Sequence, residues 1–461
     1  VEAIEKSRSQ SIEVLTEFLR IPSISTDRAR RDDVRRAADF LADRFRALGM
    51  TTVEVMPTAG HPIVHAEWLG APDAPTVLIY GHYDVQPIAN ASLWTSPPFE
   101  PVVRDGKIWA RGATDDKGQL LTHALAAGAH LAETGRLPVN VKFLIEGEEE
   151  IGSEHLGDFV RQHRERLSCD AIVVSDTAMY APNIPSICTG LRGIAYTEFT
   201  LRGARQDLHS GSFGGVVDNP AIALARLIAG LKDPVSGKIL IDGFYDGVEQ
   251  PSAAELDGWA KLPASEDRVL EMTGSPRLYG EAGRTIHERT WSRPTLDVNG
   301  IWGGFIEEGS MTVLPARASA KVSMRLVKNQ SSADITEKLR RHIERALPDT
   351  VVLERFDGLH GGEPWTCSLE HPAVQAAFAA VEKGFGRTPV PTREGGSIPI
   401  VPMLAETLQA PAVLMGFGLH DEGAHSHDEH FDLDNFQAGI RSAAHYFTEL
   451  RDTAATSKRT T

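Results

Sequence analysis

Phe143–Ser153 reads FLIEGEEEIGS. Val141 with Phe143 to Ile145 predicts an apolar strand, and Glu146 and Gly147 lead from it into Glu148, Glu149 and Glu150. Adjacent carboxylates at the mouth of a buried strand repel one another unless cations or fixed dipoles compensate them. A solvated acidic turn is the plain alternative for an isolated Glu triplet. The rest of the chain decides against it, because other acidic and histidine residues stand in the same relation to apolar runs.

Upstream, TVLIY (Thr76–Tyr80) is a short β-rich run of the kind buried on both faces of a sheet, and it passes into Gly81, His82, Tyr83 and Asp84. Ligands of open α/β sheets bind beyond the carboxyl ends of strands, where His82 and Asp84 fall. A lone histidine there is more often structural. With an aspartate two residues on to orient its imidazole, it becomes a candidate metal ligand. WARGATDDKG (Trp109–Gly118) precedes a helix with Leu120, Leu121, Ala124, Leu125 and Leu131 on its apolar face and Gly135 at its close. Asp115 and Asp116 thus stand at a helix N-terminus, where capping accounts for one of them. The strand Val139–Ile145 completes a βαβ order, and a further strand, Ala171–Ser175, ends at Asp176. Past a strand predicted at Ala412–Phe417, GAHSHDEH (Gly423–His430) supplies His425, His427 and His430 as candidate ligands, with idle surface histidines as the alternative.

At 461 residues the chain has room for two domains. Its 47 Lys and Arg against 63 Asp and Glu give a net charge of -16, which argues against nucleic acid or an anionic membrane surface as partner. No run of about 18 apolar residues occurs, so no membrane span is expected. Glu2, Glu5 and Glu13 stand where a signal peptide would be basic and then apolar, and the three cysteines lack zinc or redox spacing; a cytoplasmic location is predicted. Helical spacing appears over Ile4–Leu19 and again through Val34, Ala38, Leu41, Phe45 and Leu48. Beyond Leu191 the rhythm changes. A strand over Gly193–Leu201, a helix in DNPAIALARLIAGL, strands at Met311–Val313 and Ala318–Val327 and a helix over Ser331–Leu347 describe a separate α+β domain. It would span residues 191–368, inserted between the two segments of a first domain, 1–190 and 369–461.

In this order, GHYDVQP, RGATDDKG, EGEEEIGS, VSDT, DLHSG, SMRLV, REGGSIP and GAHSHDE resemble the dinuclear metallopeptidase family M20, which includes glutamate carboxypeptidase, succinyl-diaminopimelate desuccinylase, aminoacylase and carnosinase. The likeness runs from about Leu19 to the final helix and is greatest to the carnosinase-like, cytosolic nonspecific dipeptidase branch. It implies an α/β fold: a mixed-sheet, three-layer catalytic domain with an inserted α+β, ferredoxin-like lid and dimerisation domain. Carried over motif by motif, His82, Asp115 and Asp176 would hold one metal and Asp115, Glu150 and His425 the other, with Asp115 bridging. Asp84 would steady His82, Glu149 would be the general base, Asp116 would support, and Glu148 falls outside the pattern. Two divalent ions are implied, with zinc favoured and manganese or cobalt also suited to His and carboxylate ligands. His209 would reach the other subunit's active site in a homodimer and help to stabilise the oxyanion. Arg325 with Gly396 and Ser397 would receive the substrate carboxylate, and Asn299 and His360 are further candidates. The expected reaction is hydrolysis of dipeptides or short peptides with a free C-terminal carboxylate. The alternatives are an amidohydrolase of N-acyl amino acids and a non-catalytic peptide-binding homologue. His427 stands where relatives in this branch carry a less basic residue, and the sequence assigns it no role.

Overall fold

The runs NVKFLIE, TVLIYGH, AIVV and AVL become strands Asn140–Glu146, Thr76–His82, Ala171–Val174 and Ala412–Leu414, which lie side by side in that order and all parallel. Their carboxyl ends therefore share one edge of the sheet. The computed structural model describes residues 2–263 and 266–460. These form two units, one of residues 1–189, 367–392 and 400–461 and the other of 190–366 and 393–399.

In the first unit, Val77, Ile79, Val141, Phe143, Ile145 and Val173 join the apolar faces of helices Arg8–Leu19, Arg31–Ala47, Lys117–Thr134, Pro372–Phe385 and Leu433–Thr460 in one core. The alternate residues, Leu78, Tyr80, Leu144, Ile172 and Val174, are buried as well, as expected of parallel strands covered on both faces. Helix Ile400–Leu408 packs on Leu156–Gln162 and on strands Ala171–Val174 and Ala412–Leu414. The helix after DDKG ends where Gly135 adopts φ +70, a left-handed cap that costs glycine little. Gly147 is required by close approach, since a Cβ there would stand 2.4 Å from the Tyr83 ring.

Several strands escaped the sequence reading here, among them the fully buried Ser186–Leu191. Thr52–Met56 and Ile63–Trp68 extend the sheet antiparallel beyond Asn140–Glu146 and make it mixed. Thr52–Met56 carries no fully buried residue, so it lacks an apolar signal. The N-terminal helix is divided at Ser7 into Glu2–Lys6 and Arg8–Leu19.

The second unit runs strand Gly193–Arg202, helix Pro220–Ala229, strands Thr295–Gly303 and Arg317–Leu326, helix Ser332–Ala346, strand Val352–Gly362. Its antiparallel sheet has the order Thr295–Gly303, Arg317–Leu326, Gly193–Arg202, Val352–Gly362, the β-α-β-β-α-β arrangement of ferredoxin-like folds. Phe199, Leu201, Leu224, Val322, Met324, Leu339 and Ile343 form its core. Both edge strands were missed. Thr295–Gly303 is largely exposed and bulged, and Val352–Gly362 interleaves charged residues with glycines. Met311–Val313 was expected as a strand of this sheet; instead Val313–Leu314 pairs with Leu208–His209 in a separate two-stranded ladder. REGGSIP, placed by sequence in the 369–461 segment, groups with the second unit because residues of that unit hold its backbone and side chains: Arg192 Nε donates to Gly395 O at 3.2 Å and Arg325 Nη1 to Ser397 Oγ at 3.1 Å.

Phe143 is fully buried and meets the Phe45 ring at 4.6 Å between centroids. Phe143→Ala is expected to destabilise the protein by about 3–5 kcal/mol through lost transfer energy and a residual cavity. Urea denaturation checks this, and a loss below about 1 kcal/mol would mean the core collapses around the vacancy.

Candidate metal centre

Each parallel strand delivers its side chains just past its carboxyl end. His82 closes the first, the turn Glu149–Ile151 follows Asn140–Glu146, and Asp176 follows Ala171–Val174. Asp115 and Asp116 arrive on the turn before helix Lys117–Thr134. His425 lies in the loop after Gly418–Leu419, with φ +61.

Asp115 stands between the two histidines. Its Oδ1 is 3.1 Å from His82 Nε2, and its Oδ2 is 2.9 Å from His425 Nε2. Asp176 Oδ2 lies 3.9 Å from His82 Nε2, and Glu150 Oε2 lies 3.3 Å from His425 Nε2. Potential ligand atoms of His82, Glu149 and Asp176 lie within 4.8 Å of one another, as do those of Asp115, Glu150 and His425. Glu149, expected as a base beside the ions and not bound to them, lies next to His82 and Asp176.

Asp84 ties these pieces together. Its backbone oxygen is 3.1 Å from His82 Nδ1, while its carboxylate accepts from the backbone N–H of Glu149 at 3.3 Å and of Glu150 at 3.1 Å. Asp116 Oδ2 accepts from the His82 N–H at 3.2 Å. Glu148 faces elsewhere, accepting from the His61 N–H and lying 2.7 Å from His155 Nδ1.

Charge sets the chemistry. Burial raises Asp176 well above the usual carboxylate range, reinforced by Asp115 and opposed by His82. Burial would raise Asp115 too, yet His425 and His82 hold it below that range. Contact with Asp115 and then Glu150 pushes His425 up to about 10. Burial pushes Glu149 up to about 7, with His82 working against Glu150 and Asp115. His82 Nε2 is fully buried and, despite its short distance to Asp115, makes no hydrogen bond of acceptable geometry. An orphaned imidazole nitrogen facing crowded carboxylates is a donor set that fits divalent cations.

Some supporting residues lay unassigned within the quoted motifs. Glu429, fully buried, accepts from Arg111 Nη1 at 2.7 Å and from the N–H groups of Gly112, Thr114 and Asp115. Arg111 also donates to Ser426 O at 3.0 Å. This buried pair fixes the Asp115 turn against the His425 loop. Gln86 donates to Glu150 Oε2 at 2.6 Å. The signals were a lone arginine in RGATDDKG and an unassigned glutamate in GAHSHDEH. His427 is exposed, its Nδ1 3.5 Å from Ser426 Oγ, and His430 stacks on Trp109 at 4.1 Å.

The remaining candidates belong to the second unit. His209 is exposed, and its Nδ1 accepts from the Gly211 N–H at 3.0 Å, which leaves the proton of the neutral ring on Nε2. Arg325 Nη1 donates to Ser397 Oγ at 3.1 Å, in the turn that includes Gly396. Asn299 is exposed at the bulge between Val298 and Gly300. The backbone of His360 falls in strand Val352–Gly362, but its side chain lies outside the described residues.

A family model described as Peptidase family M20/M25/M40 matches residues 78–449. The chain is 34% identical to the Cys-Gly metallodipeptidase dug1 of Schizosaccharomyces pombe, over 97% of each chain. It is 32% identical to the Beta-Ala-His dipeptidase of Homo sapiens, over 97% of this chain and 91% of the relative. Among solved structures it is similar to an M20 family metallo-carboxypeptidase, Sso-CP2 from Sulfolobus solfataricus, with 32% identity and a TM-score of 0.81 over 96% of this chain and 99% of the other.

Arg111→Met leaves the Glu429 charge buried without its cation and is expected to cost about 3–5 kcal/mol of stability. Because Glu429 orients the Asp115 turn, metal affinity is expected to fall about 10–100-fold. Denaturation and metal titration of Arg111→Met and of the double variant Arg111→Met/Glu429→Gln check both. If the double variant is as unstable as the single one, the unpaired charge is not the cause.

Proposed function

Because the chain belongs to peptidase family M20/M25/M40, we propose that it hydrolyses dipeptides and short peptides carrying a free C-terminal carboxylate, using two divalent ions. The observation that carries the reading is the Asp115 carboxylate, which turns one oxygen toward His82 and the other toward His425. His82 and Asp176 would complete one ion's ligands, and Glu150 and His425 the other's. Zinc is our preferred ion, with manganese or cobalt suited to the same donors. When bound, the ions would supply charge that acidifies a water and polarises the scissile carbonyl.

The chain's own groups do the rest. Glu149, beside the cluster but tied to Asp84 only through its backbone N–H, would take the water proton and pass it to the leaving amine. Its position near neutrality suits both directions of transfer. Asp84 would hold His82 by its carbonyl and, by its carboxylate, the turn that aims Glu149 and Glu150. Arg325, Gly396 and Ser397 would receive the substrate carboxylate, and Asn299 and His360 stand as lesser candidates for substrate contact. His209, carrying its proton on Nε2, would donate to the developing oxyanion, supplied across a homodimer by the second unit acting as a lid. What supports association is the edge strand Thr295–Gly303, where Ile301 is 60% exposed, and the neighbouring Ile306, 82% exposed. No helix among the described residues is long and apolar enough to cross a membrane. The low cysteine count agrees with a reducing, cytoplasmic setting.

Glu149→Gln is expected to retain bound metal and lose about 100–10,000-fold in kcat on a dipeptide; unchanged turnover at matched metal content would remove Glu149 from the mechanism. A panel of dipeptides against N-acetyl and N-succinyl amino acids tests the substrate class, and preference for the acylated set would replace this reading by the amidohydrolase one. Metal uptake should depend on pH. His425 is held protonated up to about 10 in the ion-free protein, so binding at neutral pH must expel its proton, and apparent affinity rises with pH up to that value. Calorimetry in buffers of different ionisation enthalpy reads the release, and no buffer dependence would exclude His425 as a ligand.

A further inference from the structure

Arg192 meets the stretch 394–397 of the second unit at three points. The Arg192 N–H donates to Glu394 O at 3.2 Å, Arg192 Nε donates to Gly395 O at 3.2 Å, and the Arg192 carbonyl accepts from Ser397 Oγ at 2.5 Å. The one O–H of Ser397 is directed at that carbonyl, so toward Arg325 Nη1, 3.1 Å away, Oγ acts as an acceptor. Arg192 thereby decides which way the hydroxyl points, and the hydroxyl in turn holds the Arg325 guanidinium. Arg192 is itself anchored, with Nη1 3.4 Å from Arg289 O. Gly395 packs closely here, since a Cβ would stand 2.8 Å from Arg192 Nη2 and displace the guanidinium, and 3.2 Å from Thr290 O.

Among the described residues neither guanidinium is in an ion pair. The carboxylate whose field reaches both, that of Asp297, is 3.5 Å from Lys232 instead. Burial and then the neighbouring Arg325 push Arg192 down to about 10, a cost that a bound anion would relieve. Two part-buried cations without an ion-pair partner, in a chain of net charge -16, would be a poor structural choice if nothing negative came to them.

We propose that Arg192 is a positioning residue which, through the 394–397 turn, aims Arg325 and Ser397 at the terminal carboxylate of the substrate and so sets the preference for free C-termini. This rests on the reading of Arg325 and Ser397 as the carboxylate-receiving group. Lysine keeps the charge but lacks the Nε donor that holds Gly395 O, so it does not replace arginine here.

The test compares a dipeptide with the same dipeptide amidated at its C-terminus, on the metal-loaded wild type and on Arg192→Met, Arg192→Lys and Arg325→Met. Arg192→Met and Arg192→Lys are each expected to raise KM for the free-carboxylate peptide about 10-fold, with kcat changed less than about 2-fold and the amide unaffected, the signature of lost ground-state binding. An equal loss on both peptides would mean that Arg192 only supports the fold, and full activity of Arg192→Lys would mean that charge alone matters; either overturns the inference. If Arg325→Met abolishes discrimination while the Arg192 variants keep it, the carboxylate reading stands and this inference falls. If the wild type does not discriminate between acid and amide, both fall together. Thermal denaturation of the conservative Arg192→Lys variant separates misfolding from misplacement.

Discussion

Negative charge crowded at the carboxyl ends of parallel strands is the constraint to which the rest of the first unit answers. Strands Thr76–His82, Asn140–Glu146 and Ala171–Val174 run the same way, so the residues at their carboxyl ends must share one small volume with the Asp115 turn. Burial and like charges so placed raise proton affinity, and Asp176 is pushed up first by burial and then by Asp115. His425, beside Asp115 and Glu150, offsets part of that charge without ions, while His82 Nε2 is left without a hydrogen bond. Divalent cations would perform the same task more strongly and leave the carboxylates ionised.

Such a cluster is useful only if its geometry survives the repulsion. The groups that hold it are mostly backbone N–H donors, gathered by carboxylates that are not themselves in the cluster's centre. Asp84 collects those of Glu149 and Glu150, and Glu429 collects those of Gly112, Thr114 and Asp115. A carboxylate accepting several amide hydrogens is a rigid joint, because each bond constrains main chain and not a flexible side chain. Arg111 neutralises the joint at Glu429 and carries the restraint on to the histidine loop.

The second unit uses the opposite sign. Its turn at Glu394–Ser397 lies against Arg192 and Arg325, a local surplus of cation in an acidic protein. The contrast is chemically coherent for a peptidase: one unit gathers carboxylates suited to metal ions, and the other gathers guanidiniums suited to a carboxylate.

How much of this was legible depended on whether the signal was local. The apolar runs before His82, Glu149 and Asp176, and the amphipathic stretch after DDKG, announce buried strands and a helix by composition and periodicity, since burial on both faces demands unbroken apolar residues. The edge strands Thr52–Met56, half-buried, and Thr295–Gly303 and Val352–Gly362, largely exposed, carry no such demand and were silent. The motifs named the candidate ligands but not their distances. That Asp115 offers one oxygen to each histidine, that Glu429 is a buried joint and not an extra acid, and that REGGSIP belongs with the second unit are decided by residues hundreds of positions apart. Local patterning sufficed for the buried parallel strands that precede the candidate ligands and for the chemical character of the site. Only the tertiary structure decided which oxygen faces which nitrogen, because that depends on the common edge to which parallel strands bring their ends.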